Sequence, residues 1–192
     1  MRQLAADICA AIRAAPDVLE GKVVVVPELN GAVFAPPGLA HDLPRAHRHV
    51  ADLDTTSLPK PMRKLIRQFR ALDAQFIWGH APGYSEEKVG RAFLDNYCHA
   101  LLSGPDGPLR CPSPLGAFVL FGPGTLYRDH HHRPNEVYLA LTGGGQWRVG
   151  DRTWRALDAG QSIFIASNAV HAIRAGDRPL LTFSFWLEPG DL

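Results

Sequence analysis

Beyond Ser103 the chain breaks into short apolar runs parted by turn residues, and that rhythm limits the folds open to it. The runs are AFVLFG, EVYLALTG, GQWRVGD, RTWRAL, SIFIAS, HAIRAG and LLTFSFWLE. Each is too short for a typical helix and rich in the β-branched and aromatic side chains that fit a pleated surface. Seven such runs, spaced by roughly 8 to 12 residues with Gly and Asp at the joints, predict a sandwich or barrel of jelly-roll type. Gly150-Asp151, between GQWRV and RTWRAL, reads as a hairpin turn.

The first half has a different grain. Leu4, Ile8, Ala11, Ile12 and Ala15 recur at helical spacing, which predicts a helix over residues 2–15 closed by Pro16. A short apolar run, Val23 to Val26, suits a strand ended by Pro27, and residues 31–61, rich in Pro, Gly and His, suit a long surface loop. Pro61 then opens a helix running to about Trp78, with Leu65, Ile66, Phe69, Leu72, Phe76 and Ile77 on its buried face. Ser85, with Glu86 and Glu87 in the first turn, opens another helix reaching about Leu102. Gly104, Pro105, Gly107, Pro108, Pro112 and Pro114 form the connector. The expected division is a mostly helical region over 1–112 and a β-barrel over 113–192.

Composition narrows the function classes. A formal net charge of +1 on 192 residues provides no field to gather nucleic acid or an anionic membrane. No run approaches the roughly 18 to 20 apolar residues that cross a bilayer, and Asp7 and Arg13 interrupt the start where a signal peptide would be apolar. Cys9, Cys98 and Cys111 form no C-x-x-C pair and read as small thiols in a reducing compartment, so the expected location is the cytoplasm.

The chemistry concentrates in GTLYRDHHHRPNEVYLALTG, residues 124–143. His130, His132 and Glu136 stand two and four positions apart, and even steps share one face of a strand. Two imidazoles and a carboxylate therefore point into one barrel lumen, although Pro134 allows a bulge. His171, on a later strand, supplies a third imidazole, while alternation sends His131 to the opposite face. Imidazole and carboxylate together suit one first-row divalent ion, with Zn, Fe, Mn, Co and Ni all compatible, and leave coordination positions for a substrate.

The same stretch resembles the first cupin motif, G-x5-H-x-H-x3-E-x6-G, at every fixed position: Gly124, His130, His132, Glu136 and Gly143. The second motif, G-x5-P-x-G-x2-H-x3-N, is met by Gly160 and His171, but Ala166, Asn168 and Ala175 replace its Pro, Gly and Asn. The fold implied is mainly β: one C-terminal cupin (jelly-roll) barrel behind an α-helical N-terminal region. That layout, with Tyr127 three residues before His130, Tyr138 two after Glu136, and Trp186 in the closing FSFWLEPGDL, is similar to the cupin-type dimethylsulfoniopropionate (DMSP) lyases and their lyase-like relatives. The resemblance is sharp over about residues 115–188 and architectural before that.

What the resemblance implies is a carbon–sulfur lyase. A base removes the proton α to the substrate carboxylate, and dimethyl sulfide leaves to give acrylate. A nearby divalent cation stabilises a phenolate, so Tyr127 or Tyr138 can serve as the catalytic base, and the resemblance implies Tyr127. Tyr138 is a metal-proximal ligand or substrate contact, and Trp186 is an aromatic face for the sulfonium, with Trp147, Trp78 and Tyr84 as further candidates. The partner is a small DMSP-like carboxylate, and the resemblance also implies a homodimer paired through barrel edges. The alternative is a lyase-like cupin acting on another small carboxylate as an isomerase, lyase or dioxygenase. A small-ligand sensor is disfavoured because the N-terminal helices lack a basic recognition face.

Overall fold

The structure, a computed structural model, describes residues 1–15, 33–34, 42–111 and 114–187. The expected strand at 23–26, the closure by Pro16 and the last five residues lie outside the described residues. In chain order the helices are α1 (Arg2–Ala14), α2 (Lys60–Leu72), α3 (Glu86–Val89) and α4 (Arg91–Leu94), with 3₁₀ turns at Arg45–Val50 and Asp73–Gln75. The strands are β1 (Val33–Phe34), β2 (Trp78–Gly79), β3 (Tyr97–Gly104), β4 (Leu109–Arg110), β5 (Leu115–Phe121) and β6 (Leu126–His130). They continue as β7 (Asn135–Ala140), β8 (Gly145–Val149), β9 (Arg155–Leu157), β10 (Ser162–Ile165), β11 (His171–Ala175) and β12 (Leu180–Leu187).

Two sheets face each other. The larger runs β1-β4-β3-β5-β12-β7-β10, with β2 also paired to β3, and the smaller runs β6-β11-β8-β9. Strand neighbours far apart in sequence, such as β5 with β12 and β7 with β12, are antiparallel, as a jelly roll requires. Gly150 adopts φ 58° in a tight turn closed by the Arg152 amide donating to the Val149 carbonyl, and this turn opens a five-residue connection between β8 and β9. Gly145 is set by space: a Cβ there would lie 2.5 Å from the Leu180 side chain.

The large sheet separates two hydrophobic cores. Its outer face, with Ala100, Leu102, Phe118, Leu120, Val137, Leu139, Phe183 and Phe185, packs on Leu4, Ile8 and Ile12 of α1 and on Leu65, Ile66 and Phe69 of α2. Phe69 and Phe118 meet with ring centroids 4.5 Å apart. Its inner face, with Tyr97, Val119, Phe121, Tyr138, Ile163 and Ile165, closes on Trp147, Leu157 and Ile173 of the small sheet. Because side chains alternate along a strand, residues one position apart serve different cores.

The first half departs from expectation in three places. The helix from Ser85 does not reach Leu102. It stops at Val89, where Gly90 takes φ 84°, resumes for one turn, and gives way to β3. Tyr97–Gly104 is apolar on both faces because it is covered on both, by helices outside and by the barrel inside. A doubly buried strand lacks the alternation that separates strand from helix in sequence. The helix from Pro61 ends at Leu72; Phe76 and Trp78 still enter the outer core, but from a 3₁₀ turn and a strand. Within the expected surface loop, Arg45–Val50 is a 3₁₀ helix with Ala46, His49 and Val50 buried. β3 pairs with β5, so the sheet is continuous across the 112/113 boundary.

Candidate metal centre

The registers bring the four anticipated ligands toward one end of the barrel interior. Glu136 opens the inward face of β7, two residues before Tyr138, and pairs with Trp186 of β12. His130 ends β6 and pairs with His171 of β11, and His132 follows β6 in the loop that leads back to β7. The donor atoms of His132, Glu136 and His171 lie within 4.8 Å of one another, a group that could hold a metal ion. His130 is adjacent but outside that triad, with its ring centroid 4.0 Å from that of His171 and 3.8 Å from that of Tyr127. His131 is exposed.

Each of these imidazoles is held by its Nδ1. His130 donates to the Arg128 carbonyl at 2.8 Å, His132 to that of Pro134 at 2.8 Å, and His171 to that of Ala169 at 2.9 Å. Spending Nδ1–H on a carbonyl leaves Nε2 as the lone-pair atom, which is how ligating histidines are oriented. His132 Nε2 is 3.0 Å and His171 Nε2 3.5 Å from Glu136 Oε2, and His171 Nε2 is buried without a hydrogen-bond partner. Lone pairs aimed at a carboxylate repel unless a proton or a cation lies between them. Donors bound at about 2.1 Å to one ion stand about 3 Å or slightly more apart, so these separations fit a shared divalent ion.

The same contacts set the charge of these groups. Glu136 is completely buried, which opposes ionisation, yet His132 and His171 hold its carboxyl down at about 2. Burial also opposes charge on His132, but the Glu136 carboxylate raises it overall. Burial and the neighbouring His171 lower His130 to about 4. The other Glu136 oxygen, Oε1, accepts the Trp186 indole N–H at 2.5 Å, so Trp186 anchors the carboxylate as well as presenting a ring.

The turn that sets His171 shows how the altered second motif still works. Asn168, standing where the motif has Gly, adopts φ 58°. Asn is among the few residues besides Gly that enter this region at modest cost. Its amide donates to the His132 carbonyl at 2.8 Å, and the Ser167 amide to Asn135 Oδ1 at 2.9 Å, which ties the two ligand-bearing loops together.

A cavity of about 20 Å³ lies inside the barrel beside this cluster, lined by Tyr97, His99, Tyr127, His130, Tyr138, Ser184 and Trp186 with Leu101, Leu115, Ala117 and Val119. An outer cleft of about 580 Å³, between α3–α4 and β6, shares Tyr127 and His130 with it and carries Lys88 and Arg128. The Tyr84 and Tyr127 hydroxyls hydrogen-bond at this shared wall. Burial, with Tyr97 and Tyr84 nearby, pushes the Tyr127 hydroxyl well above the usual phenol range. Burial does the same to Tyr138, with Glu136 adding to it. Trp147 is fully buried in the inner core, and Trp78 belongs to the outer core, its indole bonded to Asp73, so neither lines the cavity.

Tyr97, His99 and Ser184 were not anticipated. Reading residues 97–102 as helix hid the two-residue period that sets Tyr97, His99 and Leu101 on one face.

The chain is 33% identical to the dimethylsulfoniopropionate lyase DddQ of Ruegeria pomeroyi over 110 residues, covering 57% of this chain and 53% of that protein. It is 32% identical to DddL of Cereibacter sphaeroides over 105 residues, 54% of this chain and 44% of that one. The aligned part spans about half the length of these curated relatives. The crystal structure of DMSP lyase DddQ from Ruegeria pomeroyi superposes with a TM-score of 0.78 at 25% identity, covering 100% of this chain and 92% of that one. A chain from the crystal structures of DMSP lyases RdDddP and RnDddQII gives 0.74 at 28% identity, covering 86% and 82%. The profile of the dimethylsulfoniopropionate lyase family matches residues 41–182, most of the chain and all four candidate ligands: this cupin belongs to the DMSP lyase family.

Proposed function

We propose that this protein is a metal-dependent carbon–sulfur lyase that cleaves DMSP by β-elimination into dimethyl sulfide and acrylate. The observation that carries the reading is a buried carboxylate–imidazole cluster, arranged to need a cation, beside an enclosed cavity walled by phenols. A first-row divalent ion held by His132, Glu136 and His171, with His130 alongside, would bind the substrate carboxylate and stabilise the negative charge that grows on it.

Tyr127 serves as the base that removes the proton α to the carboxylate. The C–H electron pair becomes the new C=C bond, the bond from the β carbon to sulfur breaks, and its electrons neutralise the sulfonium as dimethyl sulfide departs. A phenol at its ordinary pKa is a poor base at neutral pH, and burial makes this one poorer. Its role therefore needs compensating positive charge in the pocket and a donor to the phenolate; the Tyr84 hydroxyl, already bonded to it, would be that donor once Tyr127 has lost its proton. Tyr138, facing the lumen two residues beyond Glu136, contacts the bound substrate near the ligand cluster. Trp186 holds Glu136 through its N–H and turns an aromatic face to the sulfonium.

The deciding experiment loads the protein separately with Zn, Fe, Mn, Co and Ni, supplies DMSP, and follows dimethyl sulfide by gas chromatography. Release that depends on the metal supports the reading. A protein that binds metal yet yields no dimethyl sulfide with any of the five removes it and leaves a cupin enzyme of another small carboxylate.

A further inference from the structure

His99 is the enclosed histidine that the reading above leaves without a task. Eight histidines fall among the described residues. His47, His49, His80, His130, His132 and His171 each have a hydrogen bond to a side chain or backbone oxygen. His131 is exposed to water. The His99 imidazole has no hydrogen bond among the described residues, although it lines the interior cavity, while its backbone is paired within the sheet. Its ring nitrogens are not sealed away from the cavity, so they can take a partner that enters it.

Its surroundings say what kind of partner. His99 lies on the inward face of β3 between Tyr97 and Leu101, opposite Val119 of β5, and Leu101 faces Ala117. With Leu115, these residues form the apolar part of the cavity wall, whereas Tyr127, His130, Tyr138 and Trp186 form the part next to the metal ligands. The cavity, at about 20 Å³, admits little more than a water as it stands, so a substrate whose carboxylate is at the ligand cluster must widen it, and its other end would then press into the apolar part. Methyl groups on a cationic sulfur suit such a wall, provided a neutral acceptor faces the positive charge. Burial, reinforced by His80, lowers His99 to about 4, so it stays uncharged near neutral pH and keeps one lone pair available.

We infer that His99 is a specificity-determining residue, whose neutral imidazole, set among Leu101, Leu115, Ala117 and Val119, receives the cationic end of the substrate. This rests on the lyase reading for the identity of that substrate. Recognition is then divided between two regions of one cavity: the metal ligands for the carboxylate, and β3 with β5 for the dimethylsulfonio group.

The test compares His99→Leu and His99→Asn with the wild type, all metal-loaded, by calorimetric titration with two probes. One is 3-(trimethylammonio)propionate, which has both charged ends and a much poorer leaving group than DMSP. The other is propionate, which has only the carboxylate. Loss of a polar contact to a charged group predicts that His99→Leu binds the betaine about tenfold more weakly. Propionate should bind as in the wild type, and His99→Asn should recover part of the loss. KM for DMSP should rise in parallel while kcat changes little. Unchanged betaine affinity in His99→Leu overturns the inference, and so does an equal weakening of both probes, which would mean a general disturbance of the cavity. If the wild type neither binds the betaine nor turns over DMSP, the lyase reading itself has failed, and this inference falls with it.

Discussion

The two faces of the large sheet are made by alternate residues of the same strands, yet they do opposite jobs. On β7, Val137 and Leu139 enter the outer core while Glu136 and Tyr138 face the barrel; on β12, Phe183 and Phe185 go out while Ser184 and Trp186 turn in. The outer face is aromatic and aliphatic, locked to α1 and α2 by ring contacts such as Phe69 with Phe118. The inner face carries the buried Glu136 carboxylate and the Tyr97 and Tyr138 phenols, and it looks onto Tyr127 and the three oriented imidazoles supplied by the small sheet and the β6–β7 loop. Such a concentration of polar groups is costly to bury. The difference teaches that stability and chemistry are separated by one sheet thickness. The helical layer secures the strands from outside, so the lumen can carry groups that do not favour folding without their ligand.

If that separation is real, the largest effect should come from the inner face. Glu136→Gln removes the carboxylate that His132 and His171 converge on. Metal affinity should fall by at least about 100-fold, with loss of metal-dependent turnover, read by metal titration. Retention of full metal affinity would break the comparison at its centre. Tyr127→Phe should follow, lowering kcat by about 10²-fold or more while metal content is unchanged. If Tyr138→Phe alone produced that loss, the base would be the phenol on the Glu136 strand instead.

On the outer face, Phe118→Ala should destabilise the fold by about 3–5 kcal/mol in chemical denaturation, because it empties space among Phe69, Phe76 and Phe183. The protein that remains folded should keep its kcat. A proportional loss of kcat would show that the faces are coupled.

The smallest expected effect is a pH dependence from the inner face. Burial and His80 hold His99 at about 4 against an ordinary 6.5, so the unfolded chain takes up the proton first as pH falls. The neutral ring's contribution is complete above about pH 6.5, declines below it, and stops declining once pH has passed about 4. At pH 5.5 the loss is about 1 kcal/mol. His99→Leu should flatten that part of the stability profile, and an unaltered slope would place the titration elsewhere.

How much was legible depended on periodicity. β7 and β12 were found as runs because turns bound them. The even spacing of His130, His132 and Glu136 suggested one face of one strand, but β6 ends at His130, His132 follows in a loop and Glu136 is on β7 of the other sheet, so the fold and not strand parity brings them together. The second motif was readable through its replacements: Asn168 keeps the left-handed backbone that Gly would take, so the turn survives the substitution. β3 was not legible. Covered on both sides, it has the steady apolar content of a buried helix, and its most informative residue, His99, was lost with its parity. The role of Trp186 was half seen; an indole N–H bonded to Glu136 depends on β12 lying beside β7, about fifty residues away in sequence.

The sequence by itself determined a β-rich C-terminal half, helices α1 and α2 ahead of it, and a candidate metal-ligand set, because strand and helix periods and ligand chemistry are local properties of residue order. Only the tertiary structure decided that the Nε2 atoms of His132 and His171 converge on Glu136 with His130 to one side. The same holds for Tyr84 meeting Tyr127 and for His99 entering the barrel. These depend on strand register and sheet pairing between distant segments, and a shift of one residue would turn every one of those side chains to the other face.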